Sequence, residues 1–168
     1  RQALEWASQY SYSGGRFTIT LNCNADMPIP GIYLPIGEAI IIIDGQNNTF
    51  NCNSDYFFTA AMSTTHQSYG FVNSNLLIKN FTLNYNGITN NNFGCAFQLG
   101  GINATFDNIT ININNSNINH ALIVNQVGSH LFMQNSTINC NGNSNIATVA
   151  FTGGFANLSC SDLVVNTM

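Results

Sequence analysis

Thr82-Leu-Asn-Tyr-Asn86, Thr110-Ile-Asn-Ile-Asn114 and Thr137-Ile-Asn-Cys-Asn141 are one five-residue phrase written three times. A hydroxyl residue is followed by an apolar one, an Asn, a bulky apolar residue and a second Asn. Working outward, the phrase stands upstream as Thr20-Leu-Asn-Cys-Asn24 and Thr49-Phe-Asn-Cys-Asn53, and returns in degenerate form as Val164-Val-Asn-Thr-Met168. By subtraction of the first positions (20, 49, 82, 110, 137, 164), the steps are 29, 33, 28, 27 and 27 residues. A near-constant period in this range predicts a solenoid, whose units bury their apolar sides only against their neighbours.

Within each copy the alternation has period two. Leu21, Phe50, Leu83, Ile111, Ile138 and Val165 form one apolar row, with Cys23, Cys52, Tyr85, Ile113 and Cys140 two positions later. That pattern predicts a half-buried strand rather than a helix. A second strand precedes it in the later coils, at Leu76–Lys79, Ala104–Asp107, Leu131–Gln134 and Leu158–Ser161. The inward parity flips between the two strands, and the residue that must absorb the flip is Asn80, Asn108, Asn135 or Asp162, with Asn47 at the matching place in a looser second coil. Asn and Asp tolerate the left-handed backbone that such a corner needs. Third apolar runs at 94–100, 121–127 and 147–153 complete each turn. The expected fold is all-β: a parallel β-helix of about six coils with three short strands per coil. At ~4.8 Å per coil it makes a rod of roughly 30 Å.

The Asn corner, the apolar strand before it and the stretch Ile41-Ile-Ile-Asp-Gly-Gln-Asn-Asn-Thr-Phe50 resemble the right-handed parallel β-helix of the pectin-lyase-like superfamily, over about residues 17–168. The resemblance implies the fold. For function it implies a range, from polysaccharide lyases and hydrolases to adhesins, surface repeat proteins and fibres.

The ends read differently. Leu4, Trp6, Ala7 and Tyr10 line one side of a short helix or an irregular lead-in, so residues 1–16 are expected to cap the β-helix of 17–168. The last strand has no such cap. That predicts either a piece of a longer protein or a second chain covering the open coil, by head-to-tail self-association in the filament version.

With three basic residues (Arg1, Arg16, Lys79) and a net charge of −4, the chain lacks an electrostatic basis for nucleic acid or anionic lipid. No apolar run approaches the length of a membrane-spanning helix, so no membrane insertion is expected. Few Lys and Arg, a surface of Asn, Ser and Thr, and seven Asn-x-Ser/Thr sequons point to an extracellular or cell-surface location. Four of those sequons begin at the corners Asn47, Asn80, Asn108 and Asn135, where stacking would occupy the amide. Asn103, Asn114 and Asn157 are the better glycosylation candidates. Cys23 and Cys52 share a row in adjacent coils, which allows either a disulfide or a pair of stacked buried thiols. Cys95, Cys140 and Cys160 read as core, and no spacing suggests a metal or other cofactor.

Enzymes of the resembling superfamily use clustered carboxylates, commonly with calcium and an Arg or Lys base, or paired Asp residues. Here Asp26, Glu38 and Asp55 are the only acidic residues that approach one another by position, and no base accompanies them. His66, His120 and His130 belong to an insertion and two turns, so no catalytic triad assembles. The more telling surface is the array of Thr49, Thr82, Thr110 and Thr137 with Asn51, Asn84, Asn112 and Asn139. It reads as stiffening hydrogen-bond ladders, or as a flat face for lateral packing, glycan or ice. The functional expectation is a non-enzymatic structural or adhesive component of a surface layer, fibre or appendage. The alternatives are a polysaccharide-binding or polysaccharide-degrading protein and an ice-binding protein.

Overall fold

The computed structural model describes residues 3, 6, 15–27, 32–36, 40–53, 58–62, 75–86, 96–100, 102–114, 123–126, 130–140, 149–152 and 157–167. They form twelve strands: β1 (Arg16–Thr20), β2 (Ala25–Met27), β3 (Ile32–Ile36), β4 (Ile40–Cys52), β5 (Phe58–Met62), β6 (Asn75–Tyr85), β7 (Phe97–Gly100), β8 (Asn103–Ile113), β9 (Ile123–Gln126), β10 (His130–Cys140), β11 (Val149–Thr152) and β12 (Asn157–Thr167). One parallel sheet runs β1-β4-β6-β8-β10-β12, with β2 also paired to β4; a second runs β11-β9-β7-β5-β3. Every recorded pairing is parallel, and successive coils lie directly on one another. The chain is a parallel β-helix.

The two strands expected on either side of the corner are one continuous element in each later coil, because pairing resumes immediately past the bend between β6 and β8 and between β10 and β12. The bend is where the sequence places it. Asn80, Asn108, Asn135 and Asp162 have φ of 56°, 53°, 49° and 54°, the left-handed region. The second coil spends three residues there, Gly45-Gln46-Asn47, where the third spends Asn80 alone, and both Gln46 and Asn47 take positive φ.

The inward columns follow from the register. Leu83, Ile111 and Ile138 lie in one column, each fully buried; the column continues down to Phe50, 4% exposed, and up to Val165, 42% exposed. Ile41, Leu76, Ala104 and Leu131 make a second, and Ile43, Ile78, Phe106 and Met133 a third, all in the core. A further column starts one residue past the corner: Asn48, Phe81, Ile109, Ser136 and Leu163. Ser136 is 1% exposed there. Its hydroxyl donates to the Gln134 carbonyl at 2.6 Å and accepts the Ile109 N–H at 3.3 Å, so a buried polar group is satisfied.

The first coil departs from the sequence reading. Thr20 stands beside Asp44, in the strand before the corner, not beside Thr49. Four residues, 21–24, occupy the bend, and β2 then places Ala25, Asp26 and Met27 opposite Phe50, Asn51 and Cys52. This bend is tied down from the coil above: Asn48 Nδ2 donates to the Leu21 carbonyl at 2.8 Å, and the Thr49 N–H to Asn24 Oδ1 at 2.7 Å. Cys23 is therefore not in the row of Cys52. Cys23 is exposed, Cys52 is buried with Met27 as its neighbour, and the expected Cys23–Cys52 disulfide does not form. Of the expected cap, only Ala3, Trp6, Gly15 and Arg16 are among the described residues. The indole of Trp6 meets Phe17 edge-on with ring centroids 5.8 Å apart, and Arg16 already belongs to β1.

Gly45 shows how tightly the corner packs. A Cβ there would stand 2.4 Å from the Phe81 Cβ and 2.6 Å from the Asn80 carbonyl oxygen, and neither atom is the end of a flexible side chain. Gly45→Ala is expected to lower stability by about 1–3 kcal/mol, the usual cost of forcing extra volume into a packed site. Chemical denaturation followed by circular dichroism measures it; an unchanged midpoint would contradict the packing.

Candidate functional site

The outward Asn residues do not merely line up; they bond to one another along the rod. Asn166 Nδ2 donates to Asn139 Oδ1 at 2.8 Å, Asn139 to Asn112 at 2.8 Å, Asn112 to Asn84 at 2.9 Å, and Asn84 to Asn51 at 2.9 Å. Asn51 Nδ2 then donates to Asp26 Oδ1 at 2.7 Å. Five bonds thus join six coils. Their direction is fixed by chemistry, because an ionised carboxylate only accepts and every amide above it must orient accordingly. The aligned amides place their positive NH2 ends toward β2, where the anionic side chain of Asp26 sits. Charge and dipole are matched there as at a helix N-terminus.

A second, shorter ladder follows the corner. Asn108 Nδ2 donates to Asn80 Oδ1 at 2.9 Å, and Asn80 to Asp44 Oδ1 at 3.1 Å. Again the lowest rung is a carboxylate. Asn135 leaves this line and donates instead to Asp107 Oδ1 at 2.9 Å. Asn47 has the expected backbone but not the expected neighbour, since Asp44 takes the rung beneath Asn80; Asn47 is exposed. A third line runs from Asn114 through Asn86 to Asn53, at 3.3 and 2.7 Å.

Asp44 is engaged by three groups at once, Asn80, Gln46 and Lys79. Its Oδ1 also accepts the Gln46 N–H at 3.1 Å, and its Oδ2 lies 3.1 Å from Lys79 Nζ. Burial pushes its carboxyl up, but the Gln46 N–H, the Asn80 amide and Lys79 together outweigh burial and hold it below the usual carboxylate range. The thiol of Cys140, in contrast, is pushed up by burial and is an inert core group.

The Thr array is in register: Thr49, Thr82, Thr110 and Thr137 form one half-buried column, ending at the exposed Val164. The companion residues Asn51, Asn84, Asn112 and Asn139 are the ladder itself. Of the glycosylation candidates, Asn103 is exposed and opens β8, while Asn157 opens β12 beside His130. Asn114 is exposed, but its amide nitrogen is held by Asn86. Of the three acidic residues that approach by position, Asp26 is the lower terminus of the long ladder, and Glu38 and Asp55 lie outside the described residues. His66 and His120 also lie outside them; His130 is exposed, with Nε2 2.7 Å from Ser159 Oγ. Among the described residues no group of three His, Cys, Asp or Glu side chains is placed to hold a metal. Sequence reasoning missed the two carboxylate termini. The signal for Asp44 was present, because Ile41-Ile-Ile-Asp44 aligns with Leu76-Leu-Ile-Lys79; for Asp26 the shifted first coil hid it.

Comparisons with protein-family models, with curated proteins and with solved structures found no match for this chain.

The ladder makes Asn→Asp substitutions position-dependent. Asn112→Asp sets an acceptor against the Asn84 carbonyl oxygen and is expected to cost about 1–3 kcal/mol, the range for a frustrated polar contact. Asp26→Asn keeps the 2.7 Å bond from Asn51 and is expected to cost less than about 1 kcal/mol. Paired denaturation curves decide; equal losses would refute the fixed direction. For Asp44, a folded-state value below the unfolded one adds stability above the ordinary carboxylate range, lost as the pH falls through the folded value. Asp44→Asn should accordingly flatten the acid limb of the stability–pH profile measured by thermal melts.

Proposed function

We infer that this chain is a non-enzymatic, extracellular structural or adhesive β-helix, a rigid component of a surface layer, fibre or appendage. The observation that carries the reading is the use of its carboxylates. All four described acidic side chains are committed to side-chain hydrogen bonds of the scaffold: Asp26 to Asn51, Asp44 to Asn80, Asp107 to Asn135 and Asp162 to Ser161. Polysaccharide cleavage on such a fold needs carboxylates directed at substrate as acid, base or calcium ligand. Carboxylates that orient amide ladders serve rigidity instead. The long ladder supports the same view, since six cross-linked coils with few charges form a stiff, hydrophilic, weakly interacting rod. Kinship with the pectin-lyase-like superfamily belongs to this proposal. It is supported by the left-handed Asn corners and by the stacking of their amides beside a buried aliphatic strand.

The extracellular setting agrees with an exposed sequon at Asn103 and with a surface built from Asn, Ser and Thr. Incubation of the purified protein with acidic and neutral polysaccharides, calcium included, tests the reading. We expect no release of reducing ends, together with labelling of unpermeabilised source cells by an antibody to the protein. Sustained depolymerisation that disappears on Asp107→Asn would overturn the proposal, and exclusively internal labelling would overturn the location.

A further inference from the structure

Four of the seven Asn-x-Ser/Thr triplets begin at corner residues, and the fold treats the first of them unlike the others. In the later coils the corner Asn spends its amide nitrogen on a neighbour. Asn80 donates to Asp44, Asn108 to Asn80 and Asn135 to Asp107. Asn114, just past β8, likewise donates to Asn86. In each of these triplets, the nitrogen that would take a substituent is already bonded to another side chain.

Asn47 differs. The second coil takes three residues, Gly45-Gln46-Asn47, around the bend, and Asp44 occupies the rung beneath Asn80. Asn47 therefore stands outside the corner ladder, on a left-handed backbone with φ 59°. It is exposed, and its amide is held by no described residue. The bend is nevertheless fixed from both sides. Asp44 Oδ1 accepts the Gln46 N–H at 3.1 Å, and Asn48 Nδ2 donates to the Leu21 and Gly45 carbonyls at 2.8 and 3.0 Å. The Thr49 N–H donates to Asn24 Oδ1 at 2.7 Å. None of these bonds uses the Asn47 side chain, and Thr49 supplies the hydroxyl of the triplet Asn47-Asn48-Thr49.

We propose that Asn47 is an N-glycosylation site, although the corner pattern in the sequence argues against it. The donor is an oligosaccharide carried on a lipid pyrophosphate. Asn47 Nδ2 bonds to the anomeric carbon of the first sugar, and the bond from that carbon to the pyrophosphate oxygen breaks. The electron pair leaves with the lipid pyrophosphate, and the amide gives one proton to the transferase. The attached sugar extends from the bend into solvent and displaces no hydrogen bond of the scaffold, so the coil register survives the modification. The inference rests on the extracellular reading for access to a transferase and on the geometry for the position.

Secretion of the chain from a eukaryotic cell line tests the position, because that route supplies the transferase whatever the natural location. Glycosidase treatment in heavy-oxygen water converts each sugar-bearing Asn to a labelled Asp, which peptide mass spectrometry locates. Label is expected at Asn47 and at the exposed Asn103, with Asn80, Asn108 and Asn135 predominantly bare. Asn47→Gly, which suits a positive φ, is expected to remove one oligosaccharide from the intact mass without lowering the melting temperature. Thr49→Val, which keeps a β-branched side chain in its column, is expected to remove the same oligosaccharide. An unlabelled Asn47, or label at Asn80 equal to that at Asn47, would overturn the proposal. Exclusively internal labelling of source cells would instead be a failure of the location, and the two failures are read in separate experiments.

Discussion

The register between successive coils is the constraint on which everything else in this molecule depends. A coil of some 27 residues cannot enclose an apolar interior by itself; its strands are too short and its cross-section too small. Leu83 is sealed because Phe50 lies below it and Ile111 above, and the same holds for each inward column. A slip of one residue would send every one of these side chains to the outside. The burial of apolar side chains is worth the most energetically, but burial alone tolerates alternative pairings. The Asn ladder does not, because each amide must meet the one beneath it within hydrogen-bond reach. Packing supplies the driving force and the polar lines supply the alignment.

Much of this was legible before any coordinates. The period-two rows predict the strands, and the parity flip predicts a left-handed residue at Asn80, Asn108, Asn135 and Asp162, each of which has positive φ. Ile123–Gln126 and Val149–Thr152 fall within the third apolar runs. The failures share one cause. Pattern matching assigned Thr20-Leu-Asn-Cys-Asn24 to the ladder strand because it spells the phrase, whereas pairing with the coil above decided the matter. Among the described residues β1 and β2 are paired only to β4, so a single pairing decides their register against the local sequence. The Cys23–Cys52 expectation fell with that register. The capping of ladders by carboxylates was invisible for a related reason: it is a property of a column, and a column exists only once its lowest member is known.

The same logic explains why the corner ladder is shorter. Asn135 reaches Asp107 rather than Asn108, and Ser136 beside it turns its hydroxyl to the Ile109 N–H. Between β8 and β10, the bend is therefore held by a carboxylate and a hydroxyl in place of an amide rung and a backbone pair. The rod thus has one seam whose chemistry differs from the seams below it, while its outer amide line passes the same level without interruption.

The carboxylate beneath the long amide line and beneath the corner line has a consequence for how such a chain changes length. Every interior rung both gives and receives, so it is interchangeable with its neighbours, while Asp26 and Asp44 only receive and belong at the bottom. A tandem duplication of one whole middle turn would leave both foundations untouched and lengthen the molecule by a single storey, about 4.8 Å. Duplication that copied the turn carrying Asp26 would set one Asp26 carboxylate against another, acceptor on acceptor. Genetic growth of this architecture is therefore easy in the middle and obstructed at the base.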